Sequence, residues 1–377
     1  MKPVTATLLL ATLATTAWAA GPLEVIYTNL PGDPTSVAPG VTDPNGQAVV
    51  RVYRHPLAPF LTLGSSSTGE YWVFEAFIDD VENDVLVVGS GNSGTVVARE
   101  NNPVGAVPGR VISFLDSDVG INDLGHYIYG ARLDAPTTDD EIAIWWDGAM
   151  EQIAVREGMA APDLNEPLGA AGNELFGNSI NSVLLLNDDT PGFYAAQIQN
   201  IVTSRDTADY LGSTAVLQEG TFVDGQFIGA PTSGALRANA DGSVYAARAD
   251  LDPGIPTVTG VISNGLIVVS PGDVLLGGSH SVTVDGVFDA TAGSDFWIAR
   301  GDEPNNGDWV AQDGTVIALS GDSLNGVTTE AWGASIATIR VNSNDDVVIS
   351  GTTNNSNTDR DSVVVLNSSR VIAREGD

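Results

Sequence analysis

One stretch of the sequence contains a complete structural unit. Residues 121–132 read INDLGHYIYGAR, residues 141–148 read EIAIWWDG, and residues 154–159 read AVREGM. A polar turn precedes an aromatic strand, an apolar run follows and closes at Asp147-Gly148, and a last strand ends at Glu157-Gly158. Short apolar runs between such turns are typical of antiparallel strands, and Asp-Gly accepts φ > 0 at both turn positions of a hairpin. We therefore read residues 149–159 as a strand, although alone they resemble a helix.

The same order of turns and strands recurs along the chain. An apolar strand ends six times in a Glu-Gly, Gly-Asp or similar turn, and successive turns open 49 to 62 residues apart. The residues that open these turns are Glu100, Glu157, Glu219, Pro271, Ser320 and Glu375. Self-similarity at a fixed period is the signature of a repeat architecture. The sequence thus predicts six copies of one unit of about 55 residues.

Two further columns of the repeat support the count. A polar turn followed by an aromatic or β-branched strand also occurs six times, and these strands end at Phe74, Arg132, Gln197, Arg248, Arg300 and Gly351. A short apolar run with a tight turn precedes each Glu-Gly-type turn, and Asn264-Gly265 and Asp313-Gly314 close two of these runs. Together with the run that precedes each polar turn, such as residues 110–115, this gives about four strands in each unit.

Six four-stranded units predict an all-β protein, and we interpret it as a six-bladed β-propeller in which residues 20–377 form one domain. Helical periodicity is nearly absent, and 42 Gly and 19 Pro interrupt the chain often. A solenoid would use shorter repeats, and a string of sandwiches would need linkers. Residues 24–33 resemble a further copy of the last strand of a unit. We expect this extra N-terminal strand to help close the ring.

The polar turns carry a family resemblance. Asn122 and Gly125 with Tyr129, and Asn239 and Gly242 with Tyr245, follow an Asn-x-x-Gly pattern before an aromatic residue. This pattern resembles the Asn-x-x-Gly-x-x-x-Phe core of the secreted bacterial choice-of-anchor tandem-repeat proteins. Weaker copies have Ala290 before Gly293, or Asp345 after Asn342. The resemblance implies an exported β-repeat protein and brings no catalytic residues with it.

The N-terminus and the composition predict export. Lys2, an apolar stretch and Ala17-Trp18-Ala19 form a secretory signal, with cleavage near Ala19 after residues 1–19. We expect a secreted, periplasmic or cell-surface protein without membrane insertion, because later apolar runs are much shorter than a spanning helix. With 48 acidic against 15 basic residues, the chain carries a net charge of −33 and repels nucleic acid. It contains no cysteine, which excludes disulfides and thiolate zinc sites.

No catalytic or cofactor-binding residue is indicated, and the residues of any metal site stay unknown. His55, His126 and His280 lie in different units, and neither an HExxH motif nor a G-x-S-x-G motif occurs. A structural calcium ion is the metal alternative, since Asp and Asn oxygens suit it. Its candidate loops are residues 116–118 with Asn122 and Asp123, and residues 187–189.

The aromatic residues follow the repeat, which favours packing between units over ligand stacking. These residues are Tyr71, Trp72, Tyr127, Tyr129, Tyr194, Tyr245, Phe296 and Trp297. Trp145 and Trp146 depart from the repeat and are the better candidates for an exposed contact. Arg300-Gly301-Asp302 spells a cell-adhesion tripeptide, but it follows a strand copy in which Arg132 and Arg248 hold similar places, so coincidence is the simpler interpretation.

These observations favour a non-catalytic binding or scaffold protein whose ligand is unknown. The expected partner is an extracellular or envelope glycan or protein, bound at the loop face or in the channel of the ring. A carbohydrate-active hydrolase or lyase with acidic residues at the channel is one alternative, because such chemistry needs only two carboxyl groups. A structural envelope protein is another. Enzyme activity stays open, with the lack of a catalytic motif as the argument against it.

Overall fold

A computed structural model describes residues 60–77, 84–91, 93–164, 172–251, 258–277, 280–304, 307–324 and 329–375. The predicted signal (residues 1–19), the predicted extra strand (residues 24–33) and His55 lie outside these ranges. All regular structure in the described ranges is β-strand, which confirms the all-β prediction. Within those ranges there is accordingly no helix of a length and apolarity that would cross a membrane.

In the described ranges, six four-stranded antiparallel meanders follow one another along the chain, and in each the spatial order of the strands equals their sequence order. Sheet 1 contains β1 (Phe60–Ser65), β2 (Tyr71–Phe77), β3 (Asp84–Ser90) and β4 (Ser93–Arg99). Sheet 2 contains β5 (Ile112–Ile121), β6 (Tyr127–Leu133), β7 (Glu141–Trp146) and β8 (Glu151–Arg156). Sheet 3 contains β9 (Ser179–Leu185), β10 (Pro191–Ala196), β11 (Ala208–Leu211) and β12 (Thr214–Gln218).

The second half of the chain repeats this order and adds two hairpins. The hairpin of β13 (Phe222–Val223) and β14 (Gln226–Phe227) precedes sheet 4, which contains β15 (Arg237–Ala238), β16 (Tyr245–Asp250), β17 (Thr259–Ser263) and β18 (Leu266–Val269). The hairpin of β19 (Val274–Gly277) and β20 (His280–Thr283) joins the edge of sheet 5, where β19 runs parallel to β24. Sheet 5 contains β21 (Gly286–Ala292), β22 (Trp297–Asp302), β23 (Asp308–Gln312) and β24 (Thr315–Leu319). Sheet 6 contains β25 (Trp332–Val341), β26 (Val347–Thr353), β27 (Ser362–Leu366) and β28 (Arg370–Arg374).

The turns between the third and fourth strands follow the predicted chemistry with one exception. Asn264-Gly265 and Asp313-Gly314 adopt positive φ at both positions, as two-residue hairpins require. Asp147-Gly148 was expected to do the same, but in this pair only Gly148 has a positive φ, of 88°. The Asp147 carboxylate instead accepts the N–H groups of Ala149 and Met150, which produces a longer turn. The segment after this turn forms β8, so the strand interpretation is confirmed.

The third and fourth strands of every sheet share a shift in register. It occurs after Leu86, Ala143, Asp209, Val261, Val310 and Val364 in sheets 1 to 6 respectively. Such β-bulges are fixed features of a strand pair. The shift therefore provides a common register from which positions in different sheets can be compared.

The hydrophobic core lies between successive sheets. Residues that alternate along one strand face opposite neighbours: Tyr129 belongs to the cluster shared with sheet 1, and Ile128 belongs to the cluster shared with sheet 3. Three further clusters join sheets 3 and 4, sheets 4 and 5, and sheets 5 and 6. Trp309 is completely buried in one of them. Each large apolar side chain buried in this way contributes about 1.5–3 kcal/mol, so the stack is held together mainly by its interfaces.

Candidate functional site

The turns between the first and second strands of the sheets contact one another in sequence order. From sheet 1, the Ser67 hydroxyl and the Thr68 N–H donate to the two carboxylate oxygens of Asp123 in sheet 2, at 2.5 and 2.8 Å. From sheet 2, the Asn122 side-chain amide donates to the Leu186 carbonyl at 2.9 Å. From sheet 3, the Asn187 N–H donates to a carbonyl of the sheet 4 turn at 2.7 Å. Each turn is thus fixed to the next one.

The remaining contacts bring this series back to its start. The Asn239 side-chain amide of sheet 4 donates to the Ser294 carbonyl of sheet 5 at 3.2 Å. Ser294 in turn donates its N–H to the Asp345 carboxylate of sheet 6 at 2.8 Å. Finally, the Ser343 N–H of sheet 6 donates to the Ser67 carbonyl of sheet 1 at 2.9 Å. The six turns therefore form a closed circuit of hydrogen bonds.

The Asn-x-x-Gly pattern is explained by this circuit. The Asn122 side-chain oxygen accepts the N–H groups of Leu124 and His126, both at 3.0 Å, so the residue closes its own turn while its amide reaches the next sheet. Three residues later the backbone is left-handed: φ is 77° at Gly125 and 61° at Asp345, which replaces the glycine. Asp tolerates this conformation better than most side chains. The weaker copy of the pattern thus keeps the same turn geometry.

A cavity of about 510 Å³ opens at the same end of the sheets. All six sheets line it through their first strands, with Gly64, Gly120, Ser182, Arg237, Thr291 and Arg340 among the lining residues. We call this space the channel cavity. Its volume is within the range of pockets that hold small molecules. Its wall also includes the turn residues Asn122, Asn239 and Asn342, so it presents amide groups as well as charge.

Two arginines and one aspartate supply the charge of this wall. Arg237 and Arg340 both line the cavity, and burial lowers the pKa of Arg237, which the like charge of Arg340 lowers further. Burial raises the pKa of Asp118, against the opposing effects of the Ser182 backbone and Arg237. The Arg340 side chain is 60% exposed and lies 3.5 Å from the Asp289 carboxylate. The arrangement leaves a guanidinium accessible to an anion that enters the cavity.

A second charged group lies behind this wall, between sheets 1 and 2. Burial, and then the negative charges of Asp84, Asp116 and Asp118, raise the pKa of Glu75 to about 8. Burial is also the main cause that raises the pKa values of Asp84 and Asp116, each to about 6. Glu75 is fully buried and does not line the channel cavity, whereas its neighbour Asp118 does.

The histidines do not assemble in the described parts of the chain. His126 lies in the first turn of sheet 2, where its Nδ1 is 2.8 Å from an Asp189 oxygen. His280 belongs to β20, at the edge of sheet 5. No group of three His, Asp or Glu side chains that could hold a metal ion occurs among the described residues.

The structure divides the first proposed calcium loop and brings its second half against the other loop. Asp116 and Asp118 lie in a register shift of β5, and Asp118 lines the channel cavity, whereas Asp123 accepts hydrogen bonds from Ser67, Thr68 and Asn187. In the second loop, the Asn187 amide donates to Asp123 at 2.7 Å. Turn-to-turn hydrogen bonds therefore account for the placement of Asp123 and Asn187.

The remaining singled-out residues lie within strands and interfaces. Trp146 is half-buried and stacks on Tyr127 with a ring separation of 5.5 Å, and Trp145 packs against the cluster between sheets 2 and 3. Arg300 to Asp302 are the last residues of β22. Of the repeated aromatics, Tyr127 and Tyr129 lie in the cluster between sheets 1 and 2, and Phe296 lies in the cluster between sheets 5 and 6.

One sequence comparison needs correction. Arg132 was aligned with Arg248 and Arg300, but the registers differ. Arg248 and Arg300 pair with the residue that precedes the shift between the third and fourth strands, whereas Arg132 pairs with Glu141 at the start of its third strand. Sequence reasoning also missed the two channel arginines. Their signal is short: Arg237 and Arg340 each stand two residues before the asparagine of a turn.

Comparisons with known proteins find remote similarities to solved structures. No family model matches this chain, and no curated protein matches it either. A structure described as the Dos1 propeller shares 11% identity at a TM-score of 0.40, covering 91% of this chain and 75% of that one. The structure of a eukaryotic initiation factor shares 10% identity at a TM-score of 0.34, and the match covers 86% of this chain and 78% of that one. TolB from Acinetobacter baumannii also shares 10% identity at a TM-score of 0.34, and the match covers 69% of this chain and 55% of that one.

Proposed function

We propose that this chain is an exported six-bladed β-propeller that binds a small anionic ligand, an acidic sugar unit of an envelope or extracellular glycan, in its channel cavity without catalysing a reaction. The observation that carries the proposal is the pair of guanidinium groups, Arg237 and Arg340, in a cavity of about 510 Å³ lined by all six sheets. Carboxylates are the natural partners of such groups.

The propeller part of the proposal is supported by the sheets themselves. Six meanders occur in chain order, their first strands line one cavity, and the turn circuit returns from Ser343 of sheet 6 to Ser67 of sheet 1. Radial closure protects the inner edges of sheets that would otherwise stay unpaired. Residues 24–33 are proposed to contribute a further strand to the closure. We also propose membership of the choice-of-anchor tandem-repeat family, on the basis of the Asn-x-x-Gly turns.

The choice of an acidic sugar follows from the chemistry of the wall. Amide and hydroxyl groups of Asn122, Asn239, Asn342 and Ser182 line the same cavity as the two arginines. Hydroxyl-rich ligands are held by such groups, and a carboxylate on the ligand would pair with a guanidinium. The net charge of −33 repels anions elsewhere on the protein. Binding is therefore expected at the channel cavity and not across the general surface.

The binding test uses the purified mature chain and a panel of uronic-acid-containing and neutral oligosaccharides, measured by isothermal titration calorimetry. Arg340→Met should weaken binding of the acidic sugars by about tenfold or more, because a charged hydrogen bond contributes about 1.5–3 kcal/mol. Arg110→Met is the matched control, since Arg110 lies before β5 and donates to the Asp134 carbonyl at the opposite end of sheet 2. Equal affinity of the Arg340 variant and the wild type, or no binding to any acidic sugar, would contradict the proposal.

The hydrolase or lyase alternative has one residue in its favour. Asp118 is the single carboxylate among the described lining residues of the channel cavity, and burial raises its pKa. Glycoside hydrolysis ordinarily uses a pair of carboxyl groups, so this lining supports binding better than turnover. The same oligosaccharide panel decides the matter if products are measured by mass spectrometry. Product formation that disappears in Asp118→Asn would establish the enzyme and refute the non-catalytic proposal.

Export is tested separately from binding. Expression of the full chain in a Gram-negative host, followed by fractionation and mass determination of the N-terminus, should give a periplasmic or secreted protein that begins after Ala19. A cytoplasmic protein that retains residues 1–19 would contradict this part of the proposal.

A further inference from the structure

One position of the second strand pairs with the third-strand residue that precedes the register shift to the fourth strand. It holds Gly130 in sheet 2, Tyr194 in sheet 3 and Ser350 in sheet 6. In sheets 4 and 5 this position is occupied by arginine. Arg248 pairs with Val261, and Arg300 pairs with Val310. Both valines lie in the third strand, directly before its register shift relative to the fourth strand. In sheet 1 the equivalent residue is Glu75, which pairs with Leu86 at the same point of the register. The repeat thus places an acid where two other sheets have a base.

The two arginines make the same contact across their interfaces. Arg248 donates to the Val287 carbonyl of sheet 5 at 3.3 Å, and Arg300 donates to the Ile336 carbonyl of sheet 6 at 2.9 Å. Val287 and Ile336 each precede a register shift in the first strand of the next sheet. A guanidinium group therefore bridges the sheets at a point where the strand pairing is interrupted.

The interface between sheets 1 and 2 also has a register shift in the first strand of the next sheet, but with acidic side chains in place of the arginine. The first strand of sheet 2 shifts register between Leu115 and Val119, and this bulge contains Asp116 and Asp118. Glu75 is 0% exposed, and neither of its carboxylate oxygens has a hydrogen-bond partner among the described residues. The same holds for one buried oxygen of Asp84. In the part of the chain that the structure describes, no side-chain cation takes the place that a guanidinium fills at the other two interfaces.

The charged groups around Glu75 come from each element packed against it. Asp84 faces it from β3, and Asp116 and Asp118 face it from β5. The basic side chains lie next to these aspartates and not next to Glu75. Arg132 is 3.8 Å from Asp116, and the charge of Arg237 lowers the pKa of Asp118. Glu100 faces Asp84, and Asp140 and Glu141 are near Asp116.

We propose that a proton bound to Glu75 replaces the missing guanidinium and holds sheets 1 and 2 together, and that loss of this proton loosens the interface. An isolated carboxylate is very costly to bury without a partner, and protonation removes that cost. The electrostatics agree, since burial and three neighbouring acids raise the pKa of Glu75 to about 8. Asp118 belongs to the same bulge and lines the channel cavity, so the proton is coupled to the channel wall.

The direction of the pH effect follows from the raised pKa. Between the ordinary value of 4.5 and about 8, the folded chain holds the proton at Glu75 more tightly than the unfolded chain does. The stability that this proton provides is complete below pH 4.5 and is lost as the pH rises through about 8. Asp84 and Asp116, with pKa values of about 6, add to the loss at the lower end of this window.

The experiment compares thermal unfolding of the full mature chain and Glu75→Gln at several pH values from 5 to above 8. The glutamine resembles the protonated acid in shape and cannot ionise. The melting temperature of the wild type should fall over this range, and that of Glu75→Gln should fall much less. Glu70→Gln, at the exposed position immediately before β2, is the control and should follow the wild type. Parallel pH profiles for the wild type and Glu75→Gln would overturn the proposal.

Two further measurements keep the proposal testable if the glutamine variant folds poorly. Glu75→Arg restores the residue of sheets 4 and 5 and should melt above the wild type at alkaline pH. Amide hydrogen exchange of the wild type should accelerate in β2 and β5 relative to β16 and β21 when the pH is raised through 8, after correction for the intrinsic rate. Uniform acceleration in all four strands contradicts the proposal. A rise in melting temperature with Ca²⁺ at alkaline pH that Glu75→Gln abolishes also overturns it, because a metal ion and not a proton would then fill the space.

Discussion

At the scale of single residues, the side chain of Asn122 in the first turn of sheet 2 makes two kinds of contact. Asn122 is 2% exposed, and its oxygen closes its own turn while its amide donates to Leu186 and to the Asp189 carboxylate. Both halves of the side chain are therefore used, and an ionised aspartate, which only accepts hydrogen bonds, could not replace the amide donor.

Asn122→Asp should destabilise the protein at neutral pH. The variant keeps the acceptor, loses the donor to the Leu186 carbonyl, and places a negative charge next to Asp189. A buried group left without its partner costs about 1–3 kcal/mol, and we expect a loss of this size in urea unfolding. Asn344→Asp, in the exposed turn of sheet 6, is the matched control and should change stability little. An unchanged midpoint for Asn122→Asp would show that the turn contacts contribute nothing.

At the scale of secondary-structure elements, the third strand of two sheets begins with a carboxylate that reaches the next sheet. Glu141 accepts the Ile180 N–H at 3.0 Å, and Asp308 accepts the Ile336 N–H at 2.7 Å. The Ile336 N–H lies between two register shifts of β25, where the preceding sheet supplies the acceptor that strand pairing would otherwise provide. The interfaces thus combine apolar packing with a few directed hydrogen bonds.

Asp308→Ala should weaken the interface between sheets 5 and 6. The change leaves the Ile336 N–H without an acceptor inside a cluster of buried apolar side chains, which costs about 1–3 kcal/mol. Guanidinium unfolding measures the loss, and hydrogen exchange should locate it in β23 and β25. Asp359→Ala removes an exposed carboxylate and serves as the control. If both variants lose the same free energy of unfolding, the loss reflects the removal of a negative charge and not of the hydrogen bond between the sheets.

At the scale of the whole molecule, the dominant quantity is the charge of −33. Mutual repulsion of this size opposes the compact state, and salt reduces it because the Debye length falls from about 30 Å at 0.01 M to about 3 Å at 1 M. Only 15 basic residues oppose 48 acids, so most of the surface carries one sign. The stability of the protein should therefore depend on the ionic strength of its surroundings.

The melting temperature should rise between about 0.01 and about 1 M NaCl, as measured by calorimetry. KCl at equal concentration should give the same rise, because screening does not depend on the identity of the cation. CaCl₂ at matched ionic strength tests the calcium alternative: a clearly larger rise would indicate a specific site in the chain. A melting temperature that falls with NaCl would show that attractive ion pairs dominate.

Much of the architecture could be predicted from the sequence, because turns and alternation are local signals. The turns of the unit at residues 121–157 are recognisable from Asn122, Gly125 and the glycine after Asp147, whereas the order of the strands within a sheet is seen only in the structure. The sites depend on lateral register, which the sequence does not display. The sequence draws attention to Arg300 only through the Gly-Asp that follows it. That Arg300 and Glu75 occupy the same position of their sheets is seen only from the register shifts at Leu86 and Val310. The same is true of Arg237 and Arg340, which meet only when distant sheets come together.

The turn circuit also implies an asymmetry in how the protein can change over evolution. The first turns have nearly one length, as in residues 66–70, 122–126 and 342–346, since a longer turn would lose its partners on both sides. Connections between the second and third strands, in contrast, range from residues 303–307 to residues 197–207. Insertions and new specificities are therefore most easily accepted at the end of the sheets away from the circuit. Variation among homologous chains should be concentrated there, as it is in antibody loops on a constant frame.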